Sequence, residues 1–286
     1  MKFDLHSHST ASDGKLSPEA MLELAVAEKL SLFALTDHDS IQGFRIIEAL
    51  KSEKAPDLTL VPGIEFSSQW SGVGIHVVGL DFDPDHPVLQ EGIAAQGQRR
   101  ADRAITIGKK LEKLGMPGVL DKALALSGDA QKVGRPHFAR AMVDAGFIKS
   151  VDRAFKQYLG DGKACDVKSL WPKMSEVIEW IIASGGVPVL AHPLKYKMTR
   201  SKRERLLTTF KDAGGQAVEV TEKSQDPAQH RHVVSICERL GLAGSGGSDF
   251  HGFKEYTLPL GHVDPIPSTL VPIWQLFNHT PIPISS

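Results

Sequence analysis

The chain opens on Asp4-Leu5-His6-Ser7-His8 and answers that segment near its far end with Ser248-Asp249-Phe250-His251. In an extended segment, side chains two apart point to one face, so His6 and His8 can aim at a single ion. Imidazole is the commonest protein ligand for divalent transition metals, and a closed site needs further histidines or carboxylates. Short apolar runs along the chain carry such residues at their ends. The fold must therefore bring several distant strand ends to one place.

A parallel sheet does this. Strands are expected near 2–6, 32–36, 58–65, 75–82, 187–191, 217–220 and 242–245, with helical patterns between most of them. Ser17-Pro18 starts one helix, proline being favoured at the first helical position, and Met21, Leu22, Ala25, Val26 and Leu30 recur at helical spacing. Other helices are expected over about 41–51, 176–184, 201–213 and 227–240. Strand–helix alternation makes this an α/β protein with a parallel sheet. Seven strands predict a barrel, one strand short of the usual eight. Between residues 98 and 168 strand signals stop, and helical segments near 101–114, 119–126, 136–144 and 151–158 follow one another. This stretch reads as an inserted helical cap domain, leaving 1–97 and 169–286 for the barrel.

Composition narrows the class. At 286 residues, 41% hydrophobic and 23% charged, the chain is an ordinary globular protein with room for a large core. A net charge of −1 argues against a surface built to coat long nucleic acid. Two distant cysteines, Cys165 and Cys237, give no disulfide framework and too few thiolates for a metal site, which fits a reducing compartment. Charged residues precede any apolar run, so no secretory leader is expected. No stretch approaches the roughly 20 apolar residues of a membrane span. The cytoplasm is the expected location.

The candidate ligands are His6, His8, Asp13, His38, Glu65, His76, His192, Asp249 and His251. All but His76, which falls inside a strand, lie at or just beyond the C-terminal end of an expected strand. In a parallel barrel those ends share the face where active sites assemble. A lone histidine is more often a satisfied core or surface residue than a ligand. Six histidines and three carboxylates sorted to one face are another matter. His86, His230, His232, His262 and His279 fall in loops or helices and stay outside the set.

The segments Asp4-Leu5-His6-Ser7-His8, Thr36-Asp37-His38, Gly63-Ile64-Glu65, Ala191-His192-Pro193 and Ser248-Asp249-Phe250-His251 resemble, in order, the motifs of the PHP (polymerase and histidinol phosphatase) family. The resemblance implies a distorted seven-stranded β/α barrel with a trinuclear metal centre. It assigns His6, His8, Glu65 and Asp249 to one ion. Glu65 would bridge to a second, completed by His76 and His192, with Asp13, His38 and His251 on a third. Many relatives have a histidine where this chain has Asp13, and the harder carboxylate tilts the expected metal from zinc towards manganese or iron.

Three divalent ions bring more positive charge than Asp13, Glu65 and Asp249 return, and a phosphate dianion plus a hydroxide would neutralise the surplus. Paired ions also acidify water and clamp the attacking and leaving oxygens of a phosphate ester, so attack by metal hydroxide is expected. The second phosphate of a substrate has candidates elsewhere. Val133-Gly134-Arg135-Pro136-His137 resembles the Gly-Arg-Pro-His motif of the family's nucleotide-hydrolysing branch, with Arg135 offering a planar fork for phosphate. Lys195, three residues beyond His192, opens a basic run with Lys197, Arg200, Lys202, Arg203 and Arg205, most of it expected to be a solvated face.

The expected activity is a phosphatase taking the 3′-phosphate from nucleoside 3′,5′-bisphosphates, such as 3′-phosphoadenosine 5′-phosphate. The alternative is a 5′-to-3′ exonuclease on short RNA. Histidinol-phosphate phosphatase is disfavoured by Asp13 and Arg135, and a non-catalytic metal module by the full ligand set. Neither a membrane nor a protein partner is expected.

Overall fold

The computed structural model describes residues 1–168, 170–221, 226–253 and 258–282. Eight strands form two sheets among them. Strands β1 (Phe3–Asp4), β2 (Leu32–Ala34) and β3 (Thr59–Val61) pair in parallel. The second sheet runs in the order β4 (Gly63–Trp70), β5 (Val73–Leu80), β6 (Val187–Leu190), β7 (Ala217–Glu219) and β8 (Ala243–Ser245). Its last three strands are parallel, whereas β4 with β5 and β5 with β6 are antiparallel.

The expected closed barrel of seven strands is therefore corrected to two open sheets of three and five strands. Two local causes explain the difference. Pro62 has no N–H to continue a ladder, so the single run expected at 58–65 breaks into β3 and β4. Beyond it, Ser71 and Gly72 adopt φ of 47° and 73°, and the chain folds back as a hairpin instead of crossing over. The sheets still meet along two seams. Ser7 bridges to Phe250, and His38 bridges to Glu65. Both seams carry candidate ligands.

The layers outside the strands follow helical patterning. Helix α1 (Pro18–Ala27) is capped by the Ser17 side chain accepting from Ala20 N–H, and it buries Met21, Leu22 and Ala25. With α2 (Gln42–Lys54) it packs Ile47 against Phe33 and Leu35. On the other side of the strands, Leu5, Leu32, Val78, Val189, Ala191 and Ala217 form a second fully buried cluster. Apolar burial of this extent rigidifies the strand ends that carry the site.

By internal contacts the chain divides into Met1–Gly92 with Pro172–Ser286, and Ile93–Trp171. The latter is wholly helical among its described elements. Most of α3 (Pro87–Lys113), with α4 (Val119–Ser127), α5 (Arg135–Asp144), α6 (Val151–Ala154) and a π-turn at Phe155–Leu159, buries a core of its own around Ile107, Leu111, Phe138 and Met142. Helix α3 starts 14 residues earlier than its pattern predicted, because Gly92 hides the periodicity; a Cβ there would meet the Trp180 ring at 2.7 Å. Three helices complete the chain: α7 (Met174–Ala183), α8 (Arg200–Asp212) and α9 (Pro227–Leu240). No helix among the described residues is long and apolar enough to cross a membrane.

Candidate metal centre

Glu65, the third residue of β4, is buried in a ring of imidazoles. One carboxylate oxygen lies 2.8 Å from His76 Nδ1 and 3.0 Å from His192 Nε2. The other stands 3.3 Å from His6 Nε2, 3.2 Å from His8 Nε2 and 2.9 Å from His38 Nδ1. The topology explains the convergence. His6 and His8 follow β1, His38 follows β2, His192 follows β6, and Asp249 and His251 follow β8. Strand β5 runs the opposite way, so His76 sits in its first half, opposite Ser67, and reaches the same end.

Four groups of ligand atoms result, each with all members within 4.8 Å: His8–Asp13–His38–His251, His6–Glu65–His192, His6–His8–Asp249 and His38–Glu65–His76. Together they contain the nine expected residues and, among the described residues, no other. The division differs in detail from the expected one. His192 groups with His6 and His76 with His38, although both still face the same oxygen of Glu65.

The spacing fits ions rather than hydrogen bonds alone. Ligands about 2.1 Å from a shared ion stand about 3.0–3.4 Å apart at octahedral or tetrahedral corners. Here His6 Nε2 and His8 Nε2 are 3.1 Å apart, and Asp249 Oδ1 is 3.5 and 3.1 Å from them. His38 Nδ1 and Glu65 Oε2 are 2.9 Å apart, yet both are buried without a hydrogen bond, and so are Asp13 Oδ1 and the Nδ1 atoms of His8 and His192. Buried polar atoms in such numbers need a partner. A shared cation would satisfy His38 Nδ1 and the carboxylate oxygens, whereas His8 and His192 turn Nε2, not Nδ1, towards Glu65.

Electrostatics point the same way. Burial opposes charge on Glu65, but His38, His6 and His76 outweigh it and hold the carboxyl well below the usual carboxylate range. Asp13 is likewise held low against burial by His251 and His38, and Asp249 by Lys195 and His6. Burial works against protonated His8, yet Asp249 and Glu65 push its imidazole up to about 10. His6 also stands well above its ordinary value, with Glu219 the leading charge against burial. His38 and His192 are lowered, chiefly by burial. Buried carboxylates thus demand positive charge at this spot.

Three residues outside the expected set hold the ligands in place. Glu219 ends β7, takes His6 Nδ1 at 2.6 Å and accepts the His192 N–H at 2.7 Å, the outer carboxylate that orients a ligating histidine. Its sequence signal is a lone acid ending an apolar strand. Asp37 accepts from Ser9 N–H, Ser9 Oγ and Ser12 Oγ, which fixes the loop bearing Asp13. Asp4 accepts from the N–H groups of His6, Ser248 and Gly261 and ties the two ends of the chain together. Asp39, His192 and Asp249 adopt φ of 53°, 30° and 51°, backbone strain of the kind that collects at functional sites.

The expected substrate contacts fall in both units. Lys195 Nζ lies 2.5 Å from Asp249 Oδ2, with the side chain half exposed. Arg135 and His137 belong to the helical unit. There Arg135 donates to Leu159 C=O and Asp161, and buried His137 accepts the Gly134 N–H, capping α5. His86, His230, His232, His262 and His279 enter none of the ligand groups.

Residues 4–222 match the PHP domain family. A 5′-3′ exoribonuclease of Haemophilus influenzae is 41% identical, covering 96% of this chain and 99% of its own. A 3′,5′-nucleoside bisphosphate phosphatase of Chromobacterium violaceum is 36% identical over 95% of each chain. Among solved structures, a chain from Bifidobacterium adolescentis described as a metal-dependent phosphoesterase superposes with a TM-score of 0.80 at 27% identity, covering 93% of each.

Proposed function

The chain belongs to the PHP domain family and is a hydrolase of phosphoester bonds, and from that premise we propose that it removes the 3′-phosphate from nucleoside 3′,5′-bisphosphates. The observation that carries this reading is Glu65 between five imidazoles, one oxygen facing two of them and the other three. A carboxylate so surrounded would serve as a shared ligand for divalent ions, supplying negative charge to each.

We assign His6, His8, Asp13, His38, Glu65, His76, His192, Asp249 and His251 to three divalent ions, manganese first, with iron or zinc as the other metals this donor set accepts. Bound there, the ions supply Lewis acidity towards water and the phosphoryl oxygens. The protein's own groups do the rest. Glu65 holds the ligand groups together, and Glu219 fixes the ring of His6 through its Nδ1. Four carboxylates, buried Glu65 and Glu219 with partly exposed Asp13 and Asp249, would leave about two positive charges uncompensated on three divalent ions, which matches a phosphate dianion. Lys195 is assigned to a phosphate oxygen next to Asp249. Arg135 and His137, in the helical domain proposed over 98–168, are assigned to phosphate binding within that domain, for which Arg135 would exchange its Asp161 contact.

Trimming short RNA from its 5′ end is the second reading, favoured by the 41% identical exoribonuclease. The test is phosphate release from 3′-phosphoadenosine 5′-phosphate with manganese present, set beside mononucleotide release from a 5′-phosphorylated oligoribonucleotide and turnover of histidinol phosphate. Phosphate and AMP from the first substrate are expected. Turnover of histidinol phosphate alone would overturn the reading.

A further inference from the structure

The basic run after His192 does not end at the metal cluster. Its root is tied there twice. Lys195 Nζ meets Asp249, and the Tyr196 hydroxyl accepts the His76 N–H at 2.9 Å, with its ring edge-on to His192 at 5.4 Å. From that point the segment runs beside the β4–β5 hairpin, which leads away from the site. His76 pairs with Ser67, and three residues on Trp70 pairs with Val73 at the tip. There Lys202, in the first turn of α8, stands with Nζ 6.0 Å from the Trp70 ring centroid. Three residues at about 3.3 Å each put the tip roughly 10 Å from the His76 rung.

Cations predominate along this line, with Asp249 against Lys195 and Asp226 within electrostatic reach of Arg200. Lys195, Lys197 and Arg200 are exposed, and Lys202 and Trp70 are partly so. The only acid between 195 and 205, Glu204, is engaged by Arg239. Buried Arg203 donates to Pro193 C=O and braces the segment. A basic track ending on a partly exposed aromatic ring is the arrangement by which proteins hold single-stranded nucleic acid, phosphates on the cations and a base on the ring.

We propose that Lys197, Arg200, Lys202 and Trp70 form a strip that binds the nucleotides 3′ of the terminal one in a short single-stranded RNA. The inference rests on the phosphoesterase reading above and selects RNA as a substrate of the same site. At about 3.4 Å per stacked nucleotide, the roughly 10 Å strip holds two or three of them. Binding then improves with length only over the first few nucleotides and stays level beyond them. A nucleoside bisphosphate ends before the strip and does not use it.

The experiment compares kcat/KM for 5′-phosphorylated oligoribonucleotides of two to six residues with that for 3′-phosphoadenosine 5′-phosphate, manganese present, in wild type, Trp70→Ala, Trp70→Phe and Lys202→Glu. Trp70→Ala and Lys202→Glu are expected to lose about tenfold on the oligoribonucleotides, with bisphosphate turnover unchanged. Trp70→Phe keeps a stacking face and restores most of the loss. Lys202→Glu also flattens the salt dependence on RNA by a slope of at least about one. In wild type, the gain with length stops near four residues. Equal losses on both substrates, no loss on either, or bisphosphate turnover without any RNA cleavage would each overturn the strip. Wild type that turns over neither substrate overturns the nucleotide reading itself, and the strip with it.

Discussion

Glu65 and Glu219 are both buried acids among histidines, yet they do different work. Glu65 faces five ring nitrogens and has one oxygen without a hydrogen bond, whereas Glu219 spends its oxygens on the back of His6 and on the His192 N–H. Glu65→Gln removes a shared ligand. Its manganese affinity, measured by isothermal titration, should fall by more than the roughly 10–100-fold typical of an outer partner. Glu219→Gln should fall within that 10–100-fold range, with the His6–Glu65–His192 group affected first. Unchanged affinity in either variant would refute the role given to it. The nine candidates that cluster were legible in the sequence because histidines two apart, or an acid closing an apolar run, have few structural uses at strand ends. Glu219, Asp37 and Asp4 were not, since an acid that orients another side chain differs from a surface acid only by where the fold puts it.

At the scale of elements, the site depends on how closely β8 and its loop approach β1. Gly247 makes the approach possible: a Cβ there would lie 2.3 Å from His6 Cβ and 2.4 Å from His6 N. Gly247→Ala should cost about 1–3 kcal/mol through overpacking and push His6 out of line, seen as a lower denaturation midpoint together with weaker manganese binding. Wild-type stability in this variant would mean the two segments have slack that the backbone spacing denies. Helix α9, for instance, was legible to the residue from Pro227 to the glycine after Leu240, because both ends carry strong stop signals. The hairpin was not. Residues 58–65 and 75–82 read as two strands, but apolar runs state burial without direction, and the Ser71-Gly72 turn reverses the chain between β4 and β5. His76 lies inside a strand, as expected, and the reversed direction of β5 brings it level with the other candidates.

For the whole molecule, the metal site is a store of opposed charge, and pH tests it. Burial lowers protonation of His6 and His8, but Glu219 and Glu65 around the first and Asp249 and Glu65 around the second raise both, His8 to about 10. A group raised in the folded state gives stability that is complete below its unfolded value of 6.5 and is lost as pH climbs through its folded value. Metal-free protein should therefore lose thermal stability between pH 7 and 10, by scanning calorimetry, while manganese-loaded protein does not. The lowered carboxylates Asp13, Glu65 and Asp249 act at the other end, with stability present above the usual carboxylate range and lost below it. Ions must displace the protons on His6 and His8, so their binding should release protons and weaken as pH falls. A metal-free protein equally stable at pH 7 and 10 would contradict this account. The most direct measurement strips the enzyme with a chelator and follows phosphate release from 3′-phosphoadenosine 5′-phosphate while manganese is returned in counted equivalents. The account predicts silence without metal and activity that rises to a plateau at about three equivalents. Turnover untouched by stripping, or none after full reloading, would contradict it.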